Sequence, residues 1–254
     1  MRLAIDLNAD LGEGFGHSRV SEDEALLDLV SSPNIACGFH AGDATTMRAT
    51  VRAAASRGVA IGAHPSYPDI PGFGRRELGL SPSEIRFHVA YQLRVLRGIC
   101  VAENAKLSYV KPHGALYNRA ARDSSAAAAV TQAIHDVDPS LLLLGLAGSE
   151  MARAAAQATL TFVPEAFADR AYKSDGSLVP RQQPGAVIHD VQAAVKRAIT
   201  LVKSGTVTAD NGNTLGIVAQ SFCVHGDNPD AVPLLRELRA TLETSGVRIA
   251  PFVS

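Results

Sequence analysis

The stretch LAIDLN at residues 3–8 decides the fold prediction, because an apolar run with strand character ends there in Asp6 and Asn8. Five further apolar runs finish in the same way, in groups of ionisable residues: Gly38-Phe39-His40, Gly62-Ala63-His64, Lys111-Pro112-His113, Pro164-Glu165 and His225-Gly226-Asp227. The carboxyl ends of parallel strands meet on one face of an α/β barrel. We therefore predict that these groups assemble one concave site from distant parts of the chain.

Short apolar runs alternate with helical patterns along the chain, which is typical of βα repeats around a parallel sheet. About seven strands are predicted: Leu3–Asn8, Asn34–Phe39, Val59–Ala63, Ser108–Lys111, Leu141–Leu146, Leu160–Val163 and Thr214–Val224. Capping residues predict the helix starts: Ser21, Asp43, Ser81, Ser149, Asp190 and Asn228. A chain of 254 residues with no linker and no break in composition predicts one α/β barrel domain over residues 1–254.

Strand parity predicts which residues face the inside of the barrel, because alternate side chains of a strand point to opposite faces. Asp6 and Asn8 share one face of the first strand, which we predict to be the inward one, while Ile5 lies on the other. We expect small residues to fill the bore and polar residues to line its mouth. Two segments, 65–80 and 165–188, are rich in Gly, Pro and charge without a helical period, and we expect both to cover the site.

Composition excludes several classes of function. The hydrophobic share of 46% and the charged share of 19% are values of a globular protein, and the net charge of -1 gives no reason to expect nucleic acid or an anionic membrane as partner. The sequence contains no long apolar span, signal-peptide core, Walker motif or G-x-S-x-G motif, and its three cysteines have no C-x-x-C spacing. These features predict a cytoplasmic protein that is not a serine hydrolase.

The ionisable groups at the strand ends leave three kinds of function open. A His/His/Asp set can hold a divalent metal ion for metal-dependent deacylation. The same groups can work without a metal, with a carboxylate or histidine as general base, a second histidine as general acid and Lys111 stabilising an oxyanion. A third possibility is a small-molecule carrier or regulatory protein that binds without catalysis.

Long blocks of the sequence closely resemble the LamB/YcsF family, which is described as the A subunit of ATP-dependent 5-oxoprolinase. The resemblance spans almost the whole chain and is carried by IDLNADLGEGFG (5–16), NIACGFHAGD (34–43), GVAIGAHPSYPDIPGFGRR (58–76), YVKPHGALYN (109–118), VPEAFADRAY (163–172), LVPR (178–181) and CVHGDNP (223–229). It implies a distorted TIM-like (β/α)7 barrel similar to the glycoside hydrolase/deacetylase superfamily. It also implies cleavage of the lactam of 5-oxo-L-proline to L-glutamate, with hydrolysis of ATP and with the B and C subunits of 5-oxoprolinase as partners.

The family's motif positions carry over onto this sequence as one set of residues, which we divide by the role that we expect of each. The set that we expect to be catalytic is Asp6, His40, His64, Lys111 and His113. The set that we expect to bind substrate is Asn8, Glu165, Asp169, Arg170, His225 and Asp227. Because no phosphate loop is recognisable, we expect ATP to be handled mainly with the partner subunits.

Individual roles are our own hypotheses. Asp6 would be the base that activates water, assisted by His40 or His64, with His113 as the acid at the ring nitrogen. Lys111 and Arg170 would hold the substrate carboxylate or the phosphorylated oxygen. In the alternative, a metal-dependent deacetylase of an acylated sugar or amine, Asp6, His64 and His113 would be metal ligands. The sequence leaves the presence of a divalent metal open.

Overall fold

Seven parallel strands close into a barrel with a polar interior. The computed structural model describes residues 3–16, 20–226, 228 and 230–253. Their strands are β1 (Ala4–Leu11), β2 (Ser32–Ala36), β3 (Ile61–His64), β4 (Leu107–Val110), β5 (Leu142–Leu146), β6 (Phe162–Phe167), β7 (Thr206–Thr208), β8 (Thr214–Gly216), β9 (Ser221–Val224) and β10 (Arg248–Ile249). Strands β1 to β6 pair in order and β9 pairs with both β6 and β1, which closes the ring. The predicted TIM-like α/β barrel is thereby confirmed.

Helices surround the barrel and cover the outward face of its strands. They are α1 (Asp23–Leu27), α2 (Ala44–Ser56), α3 (Pro82–Ala102), α4 (Gly114–Arg122), α5 (Ser124–Val137), α6 (Glu150–Gln157), α7 (Val191–Ser204) and α8 (Ala231–Thr244). Outward strand residues such as Leu7, Ile35 and Phe222 are fully buried in the core that these helices share with the sheet. The predicted parity of the strands is therefore correct. Among the described residues, no helix has the length and apolar character that crossing a membrane requires.

Capping explains where several helices begin. The carboxylate of Asp43 accepts a hydrogen bond from the backbone N–H of Thr46 at 2.8 Å, and Ser81 forms a capping box with Glu84. Asp190 caps α7 in the same way, so these three predicted starts are confirmed. At the other predicted starts, α1 begins two residues after Ser21, Ser149 precedes α6 without a side-chain cap, and Asn228 lies three residues before α8.

All seven strand predictions have boundaries that differ from the structure, and four of them differ by three residues or more. One of the four is β2, which covers Ser32–Ala36 rather than the predicted Asn34–Phe39. Strand β1 continues three residues past Asn8, and β6 begins at Phe162 rather than Leu160. The predicted strand 214–224 is two elements, because β8 pairs antiparallel with β7 in a separate hairpin and only β9 belongs to the barrel. The Asn-Gly pair at residues 211–212 lies in the loop of that hairpin, where such a pair favours a tight turn.

Large side chains, and not only small ones, fill the amino-terminal end of the bore. The buried ring of Tyr109 lies against Gly62, where an added Cβ would come within 2.2 Å of the ring. Phe252, from the carboxyl-terminal segment, packs edge-on against Tyr109 with ring centroids 5.0 Å apart. The expectation of a bore filled by small residues was therefore wrong at this end. Because these rings close the amino-terminal end of the bore, the polar groups lie at the opposite end, where the strands have their carboxyl ends.

Candidate active site

Polar side chains occupy the inward face of the barrel in successive layers. Asp6, Asn8 and Asp10 alternate along β1 and are all buried, so a single strand contributes one polar group to each layer. Asn8 connects the layers, because its amide donates to Ser221 Oγ at 2.7 Å and to Glu165 Oε2 at 3.3 Å. The inward polar face extends through the barrel to its mouth.

Asp6 lies at the deepest polar layer and is 1% exposed. Its carboxylate accepts hydrogen bonds from Ser31 at 2.6 Å, from Ser32 at 2.5 Å and from Ser221. Burial raises the pKa of Asp6 to about 6, against the opposing effect of these serines. The hypothesis that Asp6 activates water or binds a metal does not fit this position, because its carboxylate accepts its described hydrogen bonds from serine hydroxyls below the histidines.

We expect the free energy of unfolding of Asp6→Asn, relative to wild type, to be higher at pH 7.5 than at pH 5. A carboxyl whose pKa rises from 3.8 to about 6 on folding favours the folded state less and less as pH increases through that interval. The neutral amide avoids this loss, which amounts to at most about 3 kcal/mol at pH 7.5. Urea unfolding of both proteins at pH 5 and pH 7.5 measures this difference. An equal effect of the substitution at both pH values would show that the pKa of Asp6 is not raised in the folded protein.

Lys111 forms the centre of the next layer. Its Nζ lies 3.1 Å from Asn8 Oδ1, 3.2 Å from Asp10 Oδ1, 3.0 Å from Cys223 Sγ and 3.3 Å from Glu165 Oε2. Burial lowers the pKa of Lys111, but Asp10, Cys223 and Glu165 outweigh it and hold that pKa well above its ordinary value. These partners occupy all three N–H bonds, so the hypothesis that Lys111 directly holds a substrate anion does not fit. It neutralises buried carboxylates instead.

Three of the predicted histidines meet above this layer beside two carboxylates. His64 Nε2 lies 3.3 Å from Asp10 Oδ1, His113 Nδ1 lies 3.6 Å from Glu13 Oε1, and His40 Nε2 lies 3.2 Å from the same Glu13 oxygen. The rings of His40 and His113 are stacked with centroids 3.9 Å apart. Burial, reinforced by the neighbouring histidines, lowers the pKa of both rings well below the ordinary value. Single donor atoms of Asp10, Glu13, His64 and His113 all lie within 4.8 Å of one another.

His225 forms a separate dyad with Asp169. Its Nδ1 lies 3.2 Å from Asp169 Oδ2, and its ring stacks on Phe167 with centroids 5.2 Å apart. The side chain of His225 is 13% exposed, whereas those of His40, His64 and His113 are 0%, 1% and 5% exposed. Burial lowers the pKa of His225 despite Asp169, which favours a neutral ring with its Nδ1–H donated to the carboxylate.

Arg170 holds its own loop rather than presenting a free guanidinium. Its Nε donates to the carbonyl of Ala186 at 3.3 Å and its Nη2 donates to the carbonyl of Val179 at 2.6 Å. Arg170 also borders the cavity, but the hypothesis that it binds a substrate anion as a bidentate fork does not fit these bonds. Asp227, the remaining predicted residue, lies outside the described residues.

A cavity of 570 Å³ opens beside these groups at the carboxyl end of the strands. Its lining includes Asp10, His64, Arg75, Lys111, His113, Tyr117, Phe167, Arg170, Arg181 and His225. Both segments that we expected to cover the site contribute to this wall, 65–80 through Arg75 and 165–188 through residues that include Arg181. The cavity has the size of a small-molecule site.

Sequence reasoning missed Asp10, Glu13, Asn34 and Cys223. Asn34 donates to Asn8 Oδ1 at 2.7 Å and to Asp10 Oδ1 at 2.9 Å, so it aligns the inward side chains of β1. Parity could have found Asp10, which follows Asp6 and Asn8 at the same spacing, and Asn34, which shares the parity of His40. No periodic signal marks Glu13, because it follows the end of β1.

Comparison with known proteins places the chain in a family. The LamB/YcsF family profile matches residues 5–254. A protein of Streptomyces avermitilis, named as the A subunit of 5-oxoprolinase, is 52% identical over 248 residues, which are 98% of this chain and 99% of that protein. The crystal structure of a lactam utilization protein from Thermus thermophilus superposes with a TM-score of 0.93 at 43% identity, over 98% of this chain and 100% of that one.

A family 4 carbohydrate esterase from Streptomyces lividans is similar in fold alone, with a TM-score of 0.50 and 12% identity over 99% of this chain and 93% of the esterase. The barrel is thus similar in fold to that of a carbohydrate esterase, as the resemblance to the LamB/YcsF family implies. Two findings decide the relationship. The family profile matches residues 5–254, and about half of the residues are identical to those of the Streptomyces avermitilis protein over nearly the full length. The chain belongs to the LamB/YcsF family.

Proposed function

We propose that this chain is the A subunit of an ATP-dependent 5-oxoprolinase, acting in the cytoplasm with the B and C subunits. The complex would convert 5-oxo-L-proline to L-glutamate with hydrolysis of ATP to ADP and phosphate. The observation that carries the proposal is the match, over 98% of this chain, to a relative named as the A subunit of 5-oxoprolinase. The name of the similar Thermus structure, a lactam utilization protein, supports the same substrate class.

The chemistry of the substrate sets what the site must supply. A five-membered lactam is a resonance-stabilised amide, and transfer of the γ-phosphoryl group of ATP to its carbonyl oxygen would make the carbonyl carbon electrophilic. One water then adds to that carbon, and the ring C–N bond breaks as the nitrogen takes up a proton. A second water converts the resulting acyl phosphate to the free carboxylate and phosphate. The site therefore needs a proton acceptor for water and a proton donor for the nitrogen.

His225 is the residue that best fits this proton transfer. Asp169 fixes its Nδ1–H, so that Nε2 is the ring nitrogen that can accept a proton from water and return it to the ring nitrogen of the substrate. It borders the cavity and is the most exposed of the four histidines at the site. We therefore assign acid–base catalysis to His225 and orientation of its ring to Asp169.

The substrate carboxylate needs a cationic partner in the same cavity. Arg181 lines the cavity, and its charge acts on both Asp169 and His225, which places it near the dyad. A guanidinium suits a carboxylate because two of its N–H groups can donate in parallel. We assign the carboxylate of 5-oxoproline to Arg181, with its lactam ring directed toward His225.

We assign ATP mainly to the partner subunits. The sequence contains no Walker phosphate loop, and Lys111, the cation at the centre of the barrel, is already bound to carboxylates. The lactam would thus bind to this chain, and ATP would bind mainly to the partner subunits of the complex.

A glutamate-release assay tests the proposal. The purified chain, the partner subunits without it, and the reconstituted complex are each supplied with 5-oxo-L-proline and ATP, and glutamate is measured by a coupled dehydrogenase. We expect glutamate and ADP in equal amounts from the complete mixture and none from either part. If the chain alone hydrolysed ATP in a way that depends on 5-oxoproline, ATP would not be handled mainly by the partner subunits. If the complete complex showed no turnover, the chain would be a non-catalytic carrier of a small acid.

A second candidate, a metal-dependent deacetylase, is favoured by one observation, the convergence of Asp10, Glu13, His64 and His113 beside the cavity. Two imidazoles and two carboxylates are suitable ligands for a metal that activates water toward an acyl group. Release of acetate from N-acetylated sugars or amines by the chain without ATP or partners would favour this function over lactam cleavage.

A further inference from the structure

We propose that Asp10, Glu13, His64 and His113 form a binding site for one divalent transition-metal ion at the mouth of the barrel. The side chains come from β1, from the segment after it, from the end of β3 and from the segment after β4. They are all buried, with residue exposures of 4%, 2%, 1% and 5% in that order. The proposal concerns ion binding alone and does not depend on which substrate the cavity takes.

Two backbone carbonyls determine which nitrogens of the two histidines can bind an ion. His64 Nδ1 lies 2.7 Å from the carbonyl oxygen of Lys111, and His113 Nε2 lies 2.9 Å from the carbonyl oxygen of Phe73. A carbonyl can only accept, so each of these nitrogens must carry its proton. In the neutral rings, His64 Nε2 and His113 Nδ1 are then unprotonated, and these two lone pairs face each other at 3.0 Å.

This arrangement is unfavourable without a positive charge between the donor atoms. The two imidazole lone pairs converge with the oxygens Asp10 Oδ1, 3.3 Å from His64 Nε2, and Glu13 Oε1, 3.6 Å from His113 Nδ1. Metal-binding imidazoles are usually oriented by a hydrogen bond from their outer N–H to a carboxylate, a backbone carbonyl or a water molecule. His64 and His113 therefore have the orientation of metal ligands, supported from behind.

The spacing of the donors fits a small ion. Ligands at about 2.1 Å from a tetrahedral metal are separated from one another by about 3.4 Å. Three of the separations within the site are 3.0, 3.3 and 3.6 Å, and none exceeds 4.8 Å. A small inward movement of the carboxylates would complete the coordination shell.

The mixed ligand set selects the class of ion. Imidazole favours zinc and the other first-row transition metals over magnesium and calcium, and carboxylates bring manganese and iron into the same range. We infer Zn²⁺ or Mn²⁺ as the natural occupant. Because Asp10, His64 and His113 also line the cavity, a bound ion would supply Lewis acidity at its wall.

Metal titration of the isolated chain tests the proposal without any assay of activity. Protein stripped with a chelator and dialysed is titrated separately with Zn²⁺, Mn²⁺ and Co²⁺, and bound metal is measured by elemental analysis and calorimetry. We expect one equivalent of metal per chain, and X-ray absorption of the zinc form should show two imidazole nitrogens among ligands at about 2.0–2.1 Å. We expect Asp10→Asn and His113→Gln each to weaken binding at least about 100-fold.

Two variants serve as matched controls. Asp6→Asn removes a buried carboxylate from the same face of β1, and His135→Gln removes an exposed histidine on α5; both should keep one equivalent of tightly bound metal. If the folded wild-type chain bound no stoichiometric metal, a shared proton would hold the four groups together and the proposal would be wrong. Binding that survives both Asp10→Asn and His113→Gln would place the ion elsewhere. If a variant fails to fold, the wild-type absorption spectrum still decides the ligand set.

Discussion

Replacing His225 with Gln is expected to lower kcat for glutamate release by the reconstituted complex by about 100- to 10,000-fold, the usual contribution of a general acid–base residue. The amide side chain has a similar size but cannot take up a proton from water. KM for 5-oxoproline should change far less, because Arg181 and the rest of the cavity wall remain. Steady-state kinetics at saturating ATP, with ADP and glutamate measured together, give both constants.

The companion variants separate catalysis from structure. Asp169→Asn should also lower kcat, since an amide can no longer favour the tautomer in which His225 Nδ1 carries the proton. His135→Gln, on the exposed surface of α5, should leave kcat within about twofold of wild type. A His225→Gln complex with nearly unchanged kcat would remove the dyad from the mechanism.

Replacing Lys111 with Met is expected to lower the free energy of unfolding by about 3–5 kcal/mol, because removal of one partner leaves buried carboxylates without a cation. Asp10 and Glu165 lie within 3.3 Å of Nζ, and the side chain of Lys111 is 3% exposed, so water cannot replace the lost charge. Urea unfolding in the presence of a chelator measures the effect without compensation from a bound ion.

The matched control for this variant is Lys106→Met, which removes an exposed lysine that precedes the same strand β4. Its effect on unfolding should stay within about 0.5 kcal/mol. A loss below about 1 kcal/mol for Lys111→Met would show that the central ammonium does not balance the inward carboxylates.

The arrangement of the barrel could be predicted because its signals are local. Parity separates the apolar outward side chains of β1 from the polar inward ones, and it placed His40, His64 and His113 at one mouth. The end of β1 is harder to predict, because a polar residue such as Asn8 is typical of a strand end at the surface. In a barrel with a polar interior the strand continues, and this is why Asp10 was missed.

The roles of individual residues could not be read from the sequence, because they depend on partners that lie far apart in the chain. Asp6 has the sequence context of a catalytic carboxylate, yet serines 25 and 215 positions away enclose it. His225 has the context of a binding residue, and only its contact with Asp169, 56 positions earlier, shows a dyad. The loop carbonyls that bind Arg170 belong to segment 165–188, which has no periodicity from which to predict its path.

The most direct test of the central claim, that the lactam binds at the carboxyl-terminal mouth of this barrel, is a crystal structure of the chain with 5-oxo-L-proline. We predict the ligand in the 570 Å³ cavity, with its carboxylate on Arg181 and its ring facing His225. Electron density for the ligand only outside this cavity would contradict the account. So would a ligand at full occupancy in the cavity with its carboxylate far from Arg181 and its ring far from His225.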